Sequence, residues 1–455
     1  MKLRFSRAGW SLLATGSLAI LIGLAAAHIS PAQEAGQQPA GAQKNWKDRG
    51  EYDLDVKIRQ TQDPKERLQL LDTWQDKYPQ SDYNDERLQF YVITLSQLAP
   101  SDPSSRPKLM DKANALLKVD PKDFRAMYAI ALWGPAVGGN SAQPDLVSQV
   151  QTAAQGVIDN APTAFDPAKK PPTVTQQDFD KAKNGALAIA HNGLAWSYVQ
   201  KKDSANAEKE YQASLEANPD QGTTSAAYAK TLYDDKKMPE ALFEYARAAE
   251  YAGPGPALPP ATRTQLQDFF NKAYEGYHGG KDGADQVLSQ AKTSALPPSG
   301  FSIVSANASA QAEADKMNQR IQSDPGFKMW YAVKQSLVDK GDTFFNSDVK
   351  DVEIPGGAEG VKYFKGTVVS LDPATDPTKV VVGVENPTAG DATLTFSKPL
   401  PADALNTVKV GNQIEFSGVA ESFTANPYML TFKDPSINGV QTAAPAKKGT
   451  RGRRH

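Results

Sequence analysis

The chain contains no cysteine at all. That removes a disulfide framework, a thiolate nucleophile, a cysteine-held metal and an acylated-cysteine anchor from consideration. Export stays open, because a chain with a large enough core needs no disulfide. Histidine is nearly as scarce, with four in 455 residues: His28, His191, His278 and His455, no two of them at metal-ligand spacing. There is no Gly-x-Ser-x-Gly elbow, phosphate loop or dinucleotide fingerprint. No catalytic, cofactor-binding or metal-ligating residue is nominated, and no cofactor is expected. Asp and Glu are plentiful, so a carboxylate acid/base pair stays open as a class without a nominee. Asp372 and Asp376 flank a loop but lack the neighbouring ligands and glycine of a calcium loop.

Charge of one sign is missing from the ends. The first 32 residues carry Lys2, Arg4 and Arg7 with no acid, and the last fifteen carry Lys447, Lys448, Arg451, Arg453 and Arg454. With a total of −2, the body between them holds a net −10. An acidic body argues against a nucleic-acid groove, so no nucleic-acid partner is expected. The Gly- and Ala-containing tail, 437–455, reads as disordered, either a solubilising end or a weak contact for an anionic surface.

What is present is a soluble globular composition, 40% apolar and 22% charged, on a chain too long for one ordinary core. The opening cations, the apolar run from Trp10 to Ala27, and Ser30-Pro31-Ala32 read as a secretory signal over 1–32. Ala25-Ala26-Ala27 offers a second cleavage point. The run, about 18 residues, is also long enough for an uncleaved single span. Both readings place the remainder in the periplasm or otherwise outside the cytoplasm, with membrane contact only through this segment if it is retained. Residues 33–43 read as a flexible leader.

Over 44–298 the apolar residues recur at helical spacing: Leu68, Leu71, Trp74 and Tyr78; Leu88, Tyr91, Leu95 and Leu98; Met110, Ala113, Leu116 and Leu117. Prolines break the stripes at Asp63-Pro64, Tyr78-Pro79, Asp120-Pro121 and Asn218-Pro219. Helix, turn, helix and proline in succession predict an α-solenoid. The stretch Asn160 to Val174, rich in Pro and Lys, reads as an excursion loop that divides the array into two blocks. The sharpest repeat starts at Ala188 in a 34-residue frame, aligning Ala195 with Ala229, Ala207 with Ala241, Tyr211 with Tyr245, and Ser214 with Ala248. Small residues there let the two helices of a pair touch, and the tyrosines fill the gap to the next pair.

Leu194, Ala195 and Tyr198, then Ala207 and Tyr211, then Pro219, resemble the tetratricopeptide repeat. The chain departs from that pattern at His191, where a bulky aromatic is usual, and at Tyr228 and Leu232, which exchange places. The resemblance implies a concave groove lined by the first helix of each pair, here by Asn192, Trp196, Val199 and Gln200, then Lys230, Tyr233 and Asp234. Trp196 has two readings, a packing tryptophan or an aromatic anchor for a peptide. No dense Lys and Asn cluster points to a clamp for a terminal carboxylate. His191 falls at a packing position. His278 stands at a helix end, where a cation is favourable.

A further helix pair is expected over 261–293, with Leu266, Phe269, Phe270, Ala273 and Tyr277 on one face. Residues 299–345 are expected to form a helical cap or connector, with helices near 306–323 and 326–340, covering the solenoid's last apolar face. After Asp342 the period changes. Strands are predicted at Val361 to Leu371, Lys379 to Glu385, Ala392 to Ser397, Gln413 to Ala420 and Tyr428 to Phe432, within a barrel spanning 346–436. Five short strands suggest a closed small barrel, OB-like or SH3-like. Tyr363, Phe364, Phe396 and Phe416 are either its core or a ligand platform. The fold class is therefore multi-domain: a TPR-like α-solenoid followed by a small all-β barrel. The expected function is an exported, non-enzymatic scaffold for a protein or peptide partner. Two alternatives stand beside it, a cell-envelope polysaccharide-binding protein and an unrecognised carboxylate-dependent hydrolase.

Overall fold

The computed structural model describes residues 44–255 and 257–441. The expected secretory signal, the expected leader and most of the basic tail lie outside the described residues. The chain divides into two compact units, between Ala306 and Asn307.

The first unit is a succession of helix pairs: α1 (Arg49–Gln60) with α2 (Pro64–Lys77), α3 (Asn84–Leu98) with α4 (Arg106–Val119), and α5 (Phe124–Gly138) with α6 (Pro144–Ala164). They are followed by α7 (Gln176–Gln200) with α8 (Ser204–Ala217), α9 (Gly222–Asp234) with α10 (Met238–Glu250), and then by α11 (Pro260–His278) and α12 (Ala284–Thr293), which both pack on α10. From α1 to α11 each helix packs on the next. In addition α3 packs on α5, α5 on α7, and α10 on α12, so the array is an α-solenoid of the tetratricopeptide-like kind. The starts are written locally: Asp48, Asp63, Asp123, Thr175 and Asp203 each accept a hydrogen bond from a backbone N–H of the first turn, satisfying donors a helix leaves unpaired. In α5 every residue from Ala126 through Pro135 is buried, which marks a helix enclosed on all sides. Gly193 lets α7 approach α5 closely, since a side chain there would meet the Ala131 carbonyl oxygen at 3.1 Å.

The expected excursion over Asn160 to Val174 is a loop only from Phe165 on, and it does not divide the array into two blocks. Helix α6 continues to Ala164, and the buried Phe165 ring wedges between Phe124 and Phe179 at 5.7 and 5.5 Å. A single hydrophobic core runs past it, from Ile58 to Trp196.

The second unit begins with α13 (Ala306–Ser323), most of which lies beyond the division, and α14 (Pro325–Phe344). It continues with β1 (Glu353–Ile354), β2 (Phe364–Asp372), β3 (Lys379–Gly383), β4 (Ala392–Thr395), β5 (Gln413–Ala425) and β6 (Tyr428–Ile437). Strands β2 to β6 close into a five-stranded barrel in the ring order β2–β3–β4–β6–β5, with β5 pairing back onto β2. All pairs in the ring are antiparallel except β4 with β6. The two-residue β1 adds to β5, Glu353 opposite Val419. Gly366 keeps β2 close to β3, because a side chain there would sit 2.4 Å from Val382 Cγ1.

The sequence pattern assigns α13 and α14 to capping the solenoid. They close the barrel instead. Phe327, Trp330 and Leu337 of α14 are buried in the barrel core, and Met317 and Ile321 of α13 pack against it. The Trp330 ring lies 5.2 Å from Phe364, 6.1 Å from Tyr428 and 6.3 Å from Phe432. Arg320 donates to the carbonyls of Val384 (2.7 Å) and Glu385 (3.1 Å) while its guanidinium lies 3.7 Å from the Phe327 ring. The apolar stripe on α14 thus belongs to the strands that follow it.

Candidate interaction surface

The repeat block α7–α10 follows the frame read from the sequence. Ala195, Ala207, Ala229, Ala241, Ser214 and Ala248 are all buried where the helices touch. The Tyr211 ring reaches across to Tyr228 of the next pair at 5.9 Å. A buried polar layer lies within this block, between α7–α8 and the start of α9. Asn192 donates to Thr224 Oγ1 at 2.6 Å and to Gln221 Oε1 at 3.3 Å. Gln221 donates to the backbone carbonyls of Asn218 (2.9 Å) and Ser214 (3.2 Å), and Ser214 Oγ donates to the Ala188 carbonyl at 2.9 Å. Every member has a partner, so the layer sets the register of α7 against α9 without leaving an orphaned donor.

The seven groove positions implied by the resemblance separate into two sets. Asn192, 5% exposed, belongs to the polar layer, and Trp196, 4% exposed, donates from Nε1 to the Gly139 carbonyl at 3.0 Å. Gln200 joins it there, donating to the same carbonyl at 3.2 Å and accepting from the Ala142 N–H at 3.3 Å. Trp196 and Gln200 pin the turn between α5 and α6, and of the three only Gln200 is half-exposed. Of the two readings of Trp196, the structure has the packing tryptophan. The physical reason is the enclosure of the first helices, since α3, α5 and the second half of α7 have neighbours on every side. The other four, Val199, Lys230, Tyr233 and Asp234, are exposed. Lys230 pairs with Asp234 at 2.5 Å. Tyr233, 39% exposed, packs edge-on against Phe269 at 5.5 Å and Tyr245 at 6.2 Å.

Val199 and Tyr233 occupy the same place in successive repeats, each one residue before the end of its helix, α7 or α9. Each is followed three residues on by a lysine, Lys202 or Lys236, and both lysines have a φ of 61°. Their neighbours have partners within the chain. Lys201 donates to Gln151, and Lys237 pairs with Glu208 at 2.6 Å. This recurring turn chemistry was readable from the 34-residue frame but is not among the groove positions.

Two buried groups in the same block escaped the sequence reading. Glu244 of α10 is fully buried with no hydrogen bond of full geometry. Burial pushes its carboxyl up to about 8, with Ser225 and Arg247 pulling the other way. Arg247 donates to the carbonyls of Ala291 (3.1 Å), Lys292 (2.8 Å) and Pro219 (3.1 Å), tying down the end of α12. A titratable residue in an apolar helix stripe was the available signal for both.

His191 is half-buried, not a packing side chain of the core, with its Nδ1 2.7 Å from Glu210 Oε2. His278 is the last residue of α11, and its Nδ1 donates to the Val304 carbonyl at 2.8 Å. It borders a cleft of about 470 Å³ lined also by Tyr274, Gln286, Gln290, Phe301 and Ser302. In the barrel, Phe364, Phe396 and Phe416 are buried in the core, and Tyr363 is half-buried. Among the described residues, no three His, Cys, Asp or Glu side chains gather as a metal site would require. Asp85 and Glu86 form a carboxylate pair whose oxygens are all taken by Lys44 at 2.7–3.0 Å. Glu86 is pushed up to about 6 by burial and by Asp85.

No family model matches the chain, and no curated protein matches its sequence. Among solved structures, the chain is similar to the crystal structure of a thermophilic TPR protein from Thermus thermophilus. The identity is 15%, over 50% of this chain and 97% of that one, with a TM-score of 0.27. So loose an overlap carries no weight by itself, and the repeat architecture rests on the helix packing described above.

Proposed function

We propose that this chain is an exported, non-enzymatic adaptor whose tetratricopeptide-like array holds a protein or peptide partner, with the barrel as a second point of contact. The observation that carries this reading is the pair Val199 and Tyr233. In a block whose apolar residues are otherwise nearly all enclosed, one large apolar side chain stays exposed at the same position of two successive repeats. Repeated exposure on a rigid scaffold is how solenoids build extended contact surfaces. Export is supported by the cationic and then apolar N-terminal pattern. The Greek-key ring order β2–β3–β4–β6–β5 supports the OB-like reading of the barrel over the SH3-like one. Polysaccharide binding and carboxylate hydrolysis are less well supported. Three of the four barrel aromatics lie in the core, away from any stacking platform, and Asp85 and Glu86 are both spent on Lys44.

Photo-crosslinking tests the adaptor reading. A photoreactive phenylalanine analogue placed at position 233 of the full chain, in intact cells, is expected to give one dominant protein adduct. The same analogue at Lys118, on another exposed stretch of the array, is expected to give none. Equal labelling from both positions would sink the reading.

A further inference from the structure

We propose that the cleft beside His278 is a binding site for a small hydroxylated amine, a compound of the amino-sugar class. Asp282 takes its ammonium group, and the side chains of Gln286, Gln290, Ser299 and Ser302 take its hydroxyls.

The cleft lies within the first unit, and neither Val199 nor Tyr233 lines it. At about 470 Å³ it falls within the range of small-molecule pockets, ~300–1,000 Å³. Its walls are the end of α11, the stretch of α12 from Gln286 to Gln290, and the segment 298–304. All three are fastened without using the side chains assigned to the ligand. Tyr274 donates its hydroxyl to the Asp282 backbone carbonyl at 2.6 Å, and His278 Nδ1 donates to the Val304 carbonyl at 2.8 Å. The Phe301 ring meets Phe243 edge-on at 5.1 Å. Arg247 holds the carbonyls at the far end of α12. Gly283, with a φ of 83°, lets α12 begin this close to α11, since a side chain there would meet the Tyr274 hydroxyl at 2.8 Å. The walls are therefore set before a ligand arrives, which lowers the cost of binding.

Charge selects a cation. No lysine or arginine lines the cleft, and Asp282 is its one carboxylate. Asp282 is exposed, and among the described residues its carboxylate has no hydrogen bond or ion pair, although Lys281 precedes it. Because His278 donates from Nδ1, the neutral ring leaves Nε2 as an acceptor. The carboxyl end of α11 adds the negative pole of its dipole, and the positive pole at the start of α12 is met by Asp285 in its first turn. A carboxylate or phosphate finds no partner here. The rest of the lining selects hydroxyls. Each side chain of Gln286, Gln290, Ser299 and Ser302 is both donor and acceptor, as a hydroxyl is, and none has a hydrogen bond among the described residues. Phe301, Val287 and Ile303 supply apolar contact for ring carbons.

Titration calorimetry on the full chain at about pH 7, where an amine of this kind is largely protonated, tests the assignment. Glucosamine is expected to bind. N-acetylglucosamine keeps the hydroxyls without the charge and should bind roughly tenfold more weakly. Ethanolamine keeps the charge with a single hydroxyl and should also bind more weakly, and glucuronate should not bind. Asp282→Asn should lose about tenfold for glucosamine while leaving N-acetylglucosamine unchanged. Gln286→Ala/Gln290→Ala should weaken both sugars. Thermal melts of both variants should match wild type, because these side chains hold nothing in the fold. No saturable binding of glucosamine by wild type overturns the proposal, as does equal binding of N-acetylglucosamine or ethanolamine, or an Asp282→Asn variant that binds glucosamine as wild type does.

Discussion

Glu244 has the most consequential proton in the array. Its carboxyl is raised to about 8 from an ordinary value of 4.5, first by burial. A group that binds its proton more tightly when folded stabilises the fold below its unfolded pKa. That contribution is lost as pH climbs through the folded value. Between about pH 4.5 and 8 the folded state therefore loses stability, by up to about 5 kcal/mol for a shift of this size. Glu244→Gln keeps the shape without the titration. Urea melts near pH 5 and near pH 9 should show the variant gaining on wild type only at the higher pH. A gap that stays constant between the two would mean that the carboxyl is not buried as described. The same scale shows what could not be read in advance from Asn192 and Trp196. Their places in the repeat frame match groove positions, but their partners, Gln221, Thr224 and the Gly139 carbonyl, are remote in sequence. A one-dimensional pattern does not record which turn fills the space in front of a side chain.

Among the elements, a single device recurs. Buried or half-buried arginines hold the ends of helices by their carbonyls. Arg67 donates to Thr61 after α1, Arg87 to Tyr78 after α2, Arg106 to Ala99 after α3, and Arg247 to the end of α12. Three of the four also lie over an aromatic ring, of Trp74, Trp133 and Tyr251 respectively. The planar guanidinium can bond several carbonyls and stack at once, which a lysine cannot. Arg247→Lys should therefore destabilise by about 2–4 kcal/mol. Hydrogen exchange should show protection falling over Ala284–Thr293 before the other helices. Unaltered exchange in that helix would remove the capping role. Helices and strands themselves were largely legible, because Ala207, Tyr211, Ala241 and Tyr245 repeat with the spacing that packing demands, and Val380, Val382, Leu394 and Phe416 alternate as barrel strands must. The destination of α13 and α14 was not legible. An apolar stripe such as Phe327, Trp330 and Leu337 states that a face is covered, but not by which neighbour.

At the scale of the whole molecule, the two units have separate hydrophobic cores, and each is expected to melt on its own terms. Trp330→Ala removes a fully buried ring from the centre of the barrel cluster, at a cost of about 3–5 kcal/mol. Scanning calorimetry should show one transition moving down while the other stays in place. A common shift of all the heat absorption would mean that the units fold as one. The ring formed by β2 to β6 has a further consequence. Each of its strands has a hydrogen-bonded neighbour on both sides, so an incoming strand finds little of the ring's own ladder free. Whatever meets the ring is therefore recognised mainly through side chains and loops, and the outer side of β1 is the place where the backbone ladder could be extended.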